Sequence, residues 1–172
     1  MKQHPWLSIK TLAVAAVTLA TLVTGAIVVP TIADAQTATS LTGPNLSNIR
    51  VGRHATYDRI VLDFDGRVAA GTFKATWVPA LFEDGSGKRV VLPGKRFLAI
   101  VVHGSSEFDI NGRRVFHGSK RFDTPQLRNV RAVAIIGDFE RVLNVGVGAR
   151  HRSWVHMFTL TRPNRLVIDI GR

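Results

Sequence analysis

Apolar residues in this chain recur every second position rather than every 3.6, and that period decides the fold class. In "YDRIVLDF", Ile60, Leu62 and Phe64 fall on one face while Arg59, Val61 and Asp63 fall on the other, as a half-buried strand requires. "NIRVGRH", "TFKATWV", "RFLAIVVH", "VRAVAIIGD", "RVLNVGVGA", "WVHMFTLT" and "RLVIDI" continue the pattern. Turn dipeptides Asp65-Gly66, Asp84-Gly85, Asn111-Gly112 and Pro163-Asn164 punctuate it. The expectation is an all-β fold, a single β-sandwich of eight to nine short strands. Helix has one weak candidate, a turn or two around "TPQLRNV", with Thr124 as cap and Pro125 in the first helical position.

The chain also writes one ribbon twice. "DRIVLDFDG" at 58–66 returns as "NRLVIDIGR" at 164–172, each with Arg, three aliphatic positions centred on Val, then Asp. The repetition predicts internal near-symmetry, with Ile60, Leu62 and Phe64 inward from the first copy and Leu166, Ile168 and Ile170 from the second. The outward Arg and Asp of each copy are free to pair across the sheet.

Residues 1–35 have the grammar of an export signal. Lys2 and Lys10 precede an uncharged run from Thr11 to Val29, Pro30 breaks it, and Ala33-Asp34-Ala35 offers a cleavage site before Gln36. The run nears the roughly 20 residues that span a bilayer, so an uncleaved anchor is the alternative. Residues 36–47, "QTATSLTGPNLS", read as a flexible tether, and 48–172 as one domain. With no Cys to form disulfides, an exported domain must rest on a hydrophobic core.

Formal charge is +11, and it falls only to +10 without residues 1–35, which hold two of the cations and one of the acids. Such a field attracts polyanions. For an exported chain these are wall polymers, peptidoglycan carboxylates or acidic lipid headgroups; nucleic acid is not expected as a partner. The cations are scattered, with no run of five or six, which also suits a merely soluble basic surface.

"IRVGRHATYDRIVLDFDG" (49–66), "IIGDFERVLNVGVG" (135–148) and "FTLTRPNRLVIDI" (158–170) together resemble the AMIN-like domain of exported actinobacterial proteins, itself distantly similar to the AMIN domain of cell-wall amidases and secretins. The resemblance implies a sandwich of two small sheets. From AMIN domains proper it implies non-catalytic binding to peptidoglycan, or localisation at the envelope. A catalytic domain after Arg172, as in the amidases, is not expected.

Few residue patterns point to chemistry. Asp138 and Glu140 flank Phe139 in "IIGDFERV" and form an acid pair of the kind that cleaves glycosides, although carboxylates two apart on a turn are mostly solvated. His54, His103, His117, His151 and His156 lack the close paired spacing of zinc ligands, so neither metal nor cofactor is expected. Ser105 and Ser106 beside His103 read as a hairpin loop, since no G-x-S-x-G elbow occurs.

Aromatic rings stack on sugars, and Tyr57, Trp77, Trp154 and Phe139 are the candidates; apolar neighbours favour core positions for both Trp. Tyr57, Arg59, Asp138, Glu140, Arg150 and Arg152 are the residues assigned to ligand contact, and none is assigned to catalysis. The expected function is a secreted or envelope-bound, non-enzymatic domain that binds an anionic wall component, with membrane contact only through an uncleaved leader. The alternatives are a protein-interaction module of the envelope and, less favoured, a wall hydrolase.

Overall fold

The computed structural model describes residues 43–172. The signal segment read at 1–35, and the tether up to residue 42, lie outside the described residues. Eleven strands follow in order: β1 (Leu46–Arg53), β2 (Tyr57–Phe64), β3 (Phe73–Val78), β4 (Leu81–Phe82), β5 (Arg89–Val90), β6 (Arg96–His103), β7 (Arg121–Asp123), β8 (Val130–Phe139), β9 (Val142–Ala149), β10 (Val155–Leu160) and β11 (Asn164–Gly171). The eight strands expected from alternation are all present, and β1 begins at Leu46, inside the stretch read as tether. The additions are β4 and β5, of two residues each, and β7, of three. No helix forms at "TPQLRNV": Leu127 N–H donates to Thr124 O at 3.1 Å, closing a single turn.

Two antiparallel sheets face each other, one ordered β1-β2-β11-β10 and the other β3-β6-β9-β8-β7. The two copies of the repeated ribbon are the central strands of the four-stranded sheet and pair with each other, Val61 opposite Val167. Hairpins β1–β2 and β10–β11 are therefore related by an approximate two-fold through that pair. Ile60, Leu62, Phe64, Leu166, Ile168 and Ile170 all point inward and are buried. They meet Leu98, Ile100, Val102, Leu143, Val145 and Val147 from the other sheet. Each such side chain contributes about 1.5–3 kcal/mol by leaving water.

The outer face of the five-stranded sheet is built from small residues and is covered. Ala132, Ala134, Gly146 and Gly148 make a flat floor on which Leu81 and Leu92, from the segment carrying the β4–β5 hairpin, lie down. A Cβ on Gly148 would come 2.1 Å from Pro93 O, so only glycine admits that approach. The outer face of the four-stranded sheet has no such cover from a named strand.

The described chain comes in at the β8–β9 turn. Arg141 Nη2 donates to Pro44 O at 3.3 Å and Asn45 Oδ1 at 3.1 Å, and Leu46 N–H donates to Ser106 O at 2.7 Å.

Candidate binding surface

The surface grows from one anomaly in β2. Asp58 has the same parity as Ile60 and Leu62, so its carboxylate points inward, fully buried. Burial of a charge is costly unless it is hydrogen-bonded. Here Asp58 accepts the backbone N–H groups of Arg128 (3.2 Å), Asn129 (2.6 Å) and Val130 (3.0 Å). Asn129, also buried, extends the network. Its Nδ2 donates to Gly171 O at 2.7 Å, and its Oδ1 accepts from the amides of Arg150 (3.1 Å) and His151 (3.2 Å). Trp77 Nε1 donates to Ser153 O at 3.0 Å, and Gly171 N–H to Trp154 O at 3.0 Å. The connection 150–154 is thus held to both sheets.

Cations gather on that rigid end. Lys95, Arg96 and Arg152 line a shallow depression of about 340 Å³ with Val78 and Pro79. Lys95 also borders a second, of about 400 Å³, with Gly94, Arg131 and Arg150. Among the described residues no carboxylate lines either depression. Lys95 is positioned by Gly94, whose φ of +133° favours glycine and whose added Cβ would lie 2.7 Å from the backbone of Ala149.

Round the corner, the exposed face of the four-stranded sheet is aromatic. Arg59 lies at its centre, with Nε donating to Asp169 Oδ1 at 2.7 Å and Nη2 to Oδ2 at 2.8 Å. That hydrogen bonding, reinforced by the carboxylate's charge, raises the guanidinium pKa further. Arg59 also donates to the Tyr57 hydroxyl at 3.2 Å, and its guanidinium lies 5.2 Å from the Tyr57 ring centroid and 5.6 Å from that of Phe158. His54 stacks on Tyr57, centroids 4.4 Å apart and planes 16° from parallel, and Trp154 lies 6.1 Å from Tyr57. His156 leans on Phe158 at 5.2 Å.

The structure therefore brings Tyr57 and Arg59 together on this face, and Arg150 and Arg152 onto the adjoining end. Asp138 and Glu140 stand apart, across a strand of ten residues, about 30 Å at the usual rise. Asp138 Oδ2 accepts from Ser106 Oγ at 2.8 Å and from Glu107 N–H at 2.6 Å, so it ties a loop to β8. Glu140 sits with Arg141 in a two-residue turn at φ of 48° and 59°. Asp138 and Glu140 both border one depression of about 580 Å³, with Asp84, Phe139 and Asn144.

Of the aromatic candidates, Trp77 packs on the core as expected, whereas Trp154 does not: it is 53% exposed. Phe139 is exposed at the far end, beside Glu140. Lys95, Arg96, Arg131, His54, His156 and Phe158 were not assigned to ligand contact from sequence. His156 and Phe158 share a parity with Trp154 in "WVHMFTLT", which was the available signal.

No curated protein and no solved structure matches the chain. A family model, AMIN-like domain, matches residues 44–172, from just before β1 to the last residue of the chain. That span takes in all three of the motifs noted in the sequence, both sheets, the aromatic face and the cationic end, and the chain belongs to the AMIN-like domain family.

Proposed function

We propose that this is a non-catalytic domain that holds an anionic cell-wall polymer, peptidoglycan or a polymer attached to it, outside the membrane. Membership of the AMIN-like family gives a cell-wall-related, cell-envelope context. The observation that carries the reading is the gathering of Lys95, Arg96, Arg131, Arg150 and Arg152 around two adjoining depressions that no carboxylate lines. The aromatic face supplies flat apolar rings beside it, suited to the C–H faces of sugars. Asp58 and Asn129 are spent on backbone amides and Asp138 on Ser106 and Glu107, so these groups serve the scaffold rather than acid–base chemistry.

Binding of this kind is multivalent. Each cation on an open surface contributes little alone, and the attraction is screened over about 8 Å at physiological ionic strength. The test is co-sedimentation with purified wall, with and without its attached anionic polymers. The wild-type chain pellets with wall in low salt and is released in high salt, and Arg150→Ala/Arg152→Ala pellets roughly tenfold less. Retention that ignores both salt and the double substitution would refute the proposal.

A further inference from the structure

The open edge of the four-stranded sheet has a second use. β10 ends that sheet, and its "VHMFTL" carries no Lys, Arg, Asp or Glu. The other edges of the two large sheets are guarded in ways that discourage strand addition: β1 carries Arg50, Arg53 and a register shift at Leu46/Asn48, β3 carries Lys74, and β7 is three residues with two charges. Trp154 and Leu160, both exposed, stand at the two ends of the unguarded strand.

The hydrogen-bond parity of β10 is fixed by one bond. Gly171 N–H donates to Trp154 O, so in an antiparallel ladder the polar backbone groups of Trp154, His156, Phe158 and Leu160 face β11. Those of Val155, Met157 and Thr159 face the open edge.

We infer that β10 pairs with β10 of a second copy of this chain, antiparallel about a two-fold at Met157. In that register Met157 faces its own copy and Val155 faces Thr159, so the three outward-facing residues of each strand meet as hydrogen-bonded pairs, exchanging about six bonds. The intervening pairs set Trp154 against Leu160 and His156 against Phe158, which covers the exposed apolar side chain at each end of the strand. Shifting the register by one residue puts outward groups opposite inward ones and loses the ladder. The product is a continuous eight-stranded sheet with its two aromatic faces on one side. It brings Arg152 of one copy near Arg162 of the other, so like charge opposes association and salt relieves it.

The salt dependence separates this pairing from wall binding. Between about 0.1 and 1 M salt, where the screening length falls from about 10 to about 3 Å, wall binding weakens while pairing strengthens. Either can fail alone.

The chain has no Cys of its own, which permits a clean covalent test in the full-length chain as its host processes it. His156→Cys chains are mixed with Phe158→Cys chains under mild oxidation in high salt. Opposed non-hydrogen-bonded positions lie about 4.5 Å apart at Cα, within disulfide reach, and the mixture yields a disulfide-linked dimer. Each variant alone, whose cysteines lie diagonally at roughly 7–8 Å, yields roughly tenfold less. Thr159→Pro removes a donor that faces the open edge, a site where a folded edge strand tolerates proline. Added to both chains it cuts the yield by a similar factor, as does Leu160→Lys, which leaves the backbone intact. Equal yields from the mixture and the single variants, or a monomer by sedimentation at every salt concentration, overturn the pairing.

Discussion

Arg59 and Asp169, 110 residues apart in sequence, form a two-pronged ion pair across β2 and β11. They are the Arg of the first ribbon and the Asp of the second, so the repeat is bound to itself. The approximate two-fold calls for a matching pair between Asp63 and Arg165, which do lie opposite each other. That pair does not form. Asp63 takes Arg50 instead, at 2.7 Å to each oxygen, and Arg165 turns back to Pro163 O. The symmetry holds in the register of the central pair and is broken in its side chains.

Removing Asp169, itself only 6% exposed, strands the part-buried Arg59 guanidinium. Asp169→Ala is expected to cost about 2 kcal/mol, read as a lower midpoint in urea. Arg59→Leu/Asp169→Val restores most of the loss, because an apolar pair leaves no orphaned charge. A double variant as unstable as the single one would contradict this account.

Asp58 has the larger effect. Asp58→Ala leaves three amides without an acceptor in a buried site, a loss of roughly 3 kcal/mol or more. Because those amides belong to the loop that holds Arg150 and His151 through Asn129, wall co-sedimentation also falls although every cation remains. Unchanged binding by a folded Asp58→Asn protein alongside impaired Asp58→Ala fits this positioning role. Equal wall binding by wild type and Asp58→Ala does not.

Gly94→Ala tests the placement of Lys95. The new methyl meets the Ala149 backbone, and the residue must hold a φ of +133°, so a destabilisation of about 1–3 kcal/mol follows. Gly112→Ala, at a φ of +75° with open space around it, costs less, about 1 kcal/mol. Thermal melts of the two variants give the ranking directly.

Acid acts on the loop carrying Asp109. Hydrogen bonds from the Arg113 backbone, then from Asn111 and the Arg113 side chain, hold its pKa below the ordinary 3.8. A depressed carboxylate stabilises the fold above its unfolded pKa, and that contribution is lost as pH falls through the folded value. The amide signals of Asn111 and Arg113 should therefore move with a midpoint below 3.8, and Asp109→Asn should abolish the movement. A midpoint above that value would contradict it.

The long strands were legible in the sequence because alternation over six to ten residues leaves little choice of face. Strands β4, β5 and β7 were not, since two or three residues carry no period. Trp154 was misread for a related reason: Val155 and Met157 are apolar toward the core while Trp154 and Phe158 are apolar toward solvent, so parity could not name the inner side. Asp58 was readable in principle, as an acid on the parity of Ile60 and Leu62. Of the cationic end, only Arg150 and Arg152 were singled out. Lys95, Arg131 and Arg150 come from three separate segments, and only the β6–β9 and β8–β9 registers bring Arg96 and Val130 alongside Ala149.

The described chain begins beside Arg141, at one end of β9, and Lys95, Arg131 and Arg150 lie at the other end, past Ala149. Eight residues of strand, about 26 Å, separate the two. Pro44 and the depression lined by Lys95, Arg131 and Arg150 therefore lie at opposite ends of β9. A label attached at Gly43 sits a strand's length from Lys95, Arg131 and Arg150, and leaves those side chains open to solvent-borne polyanions.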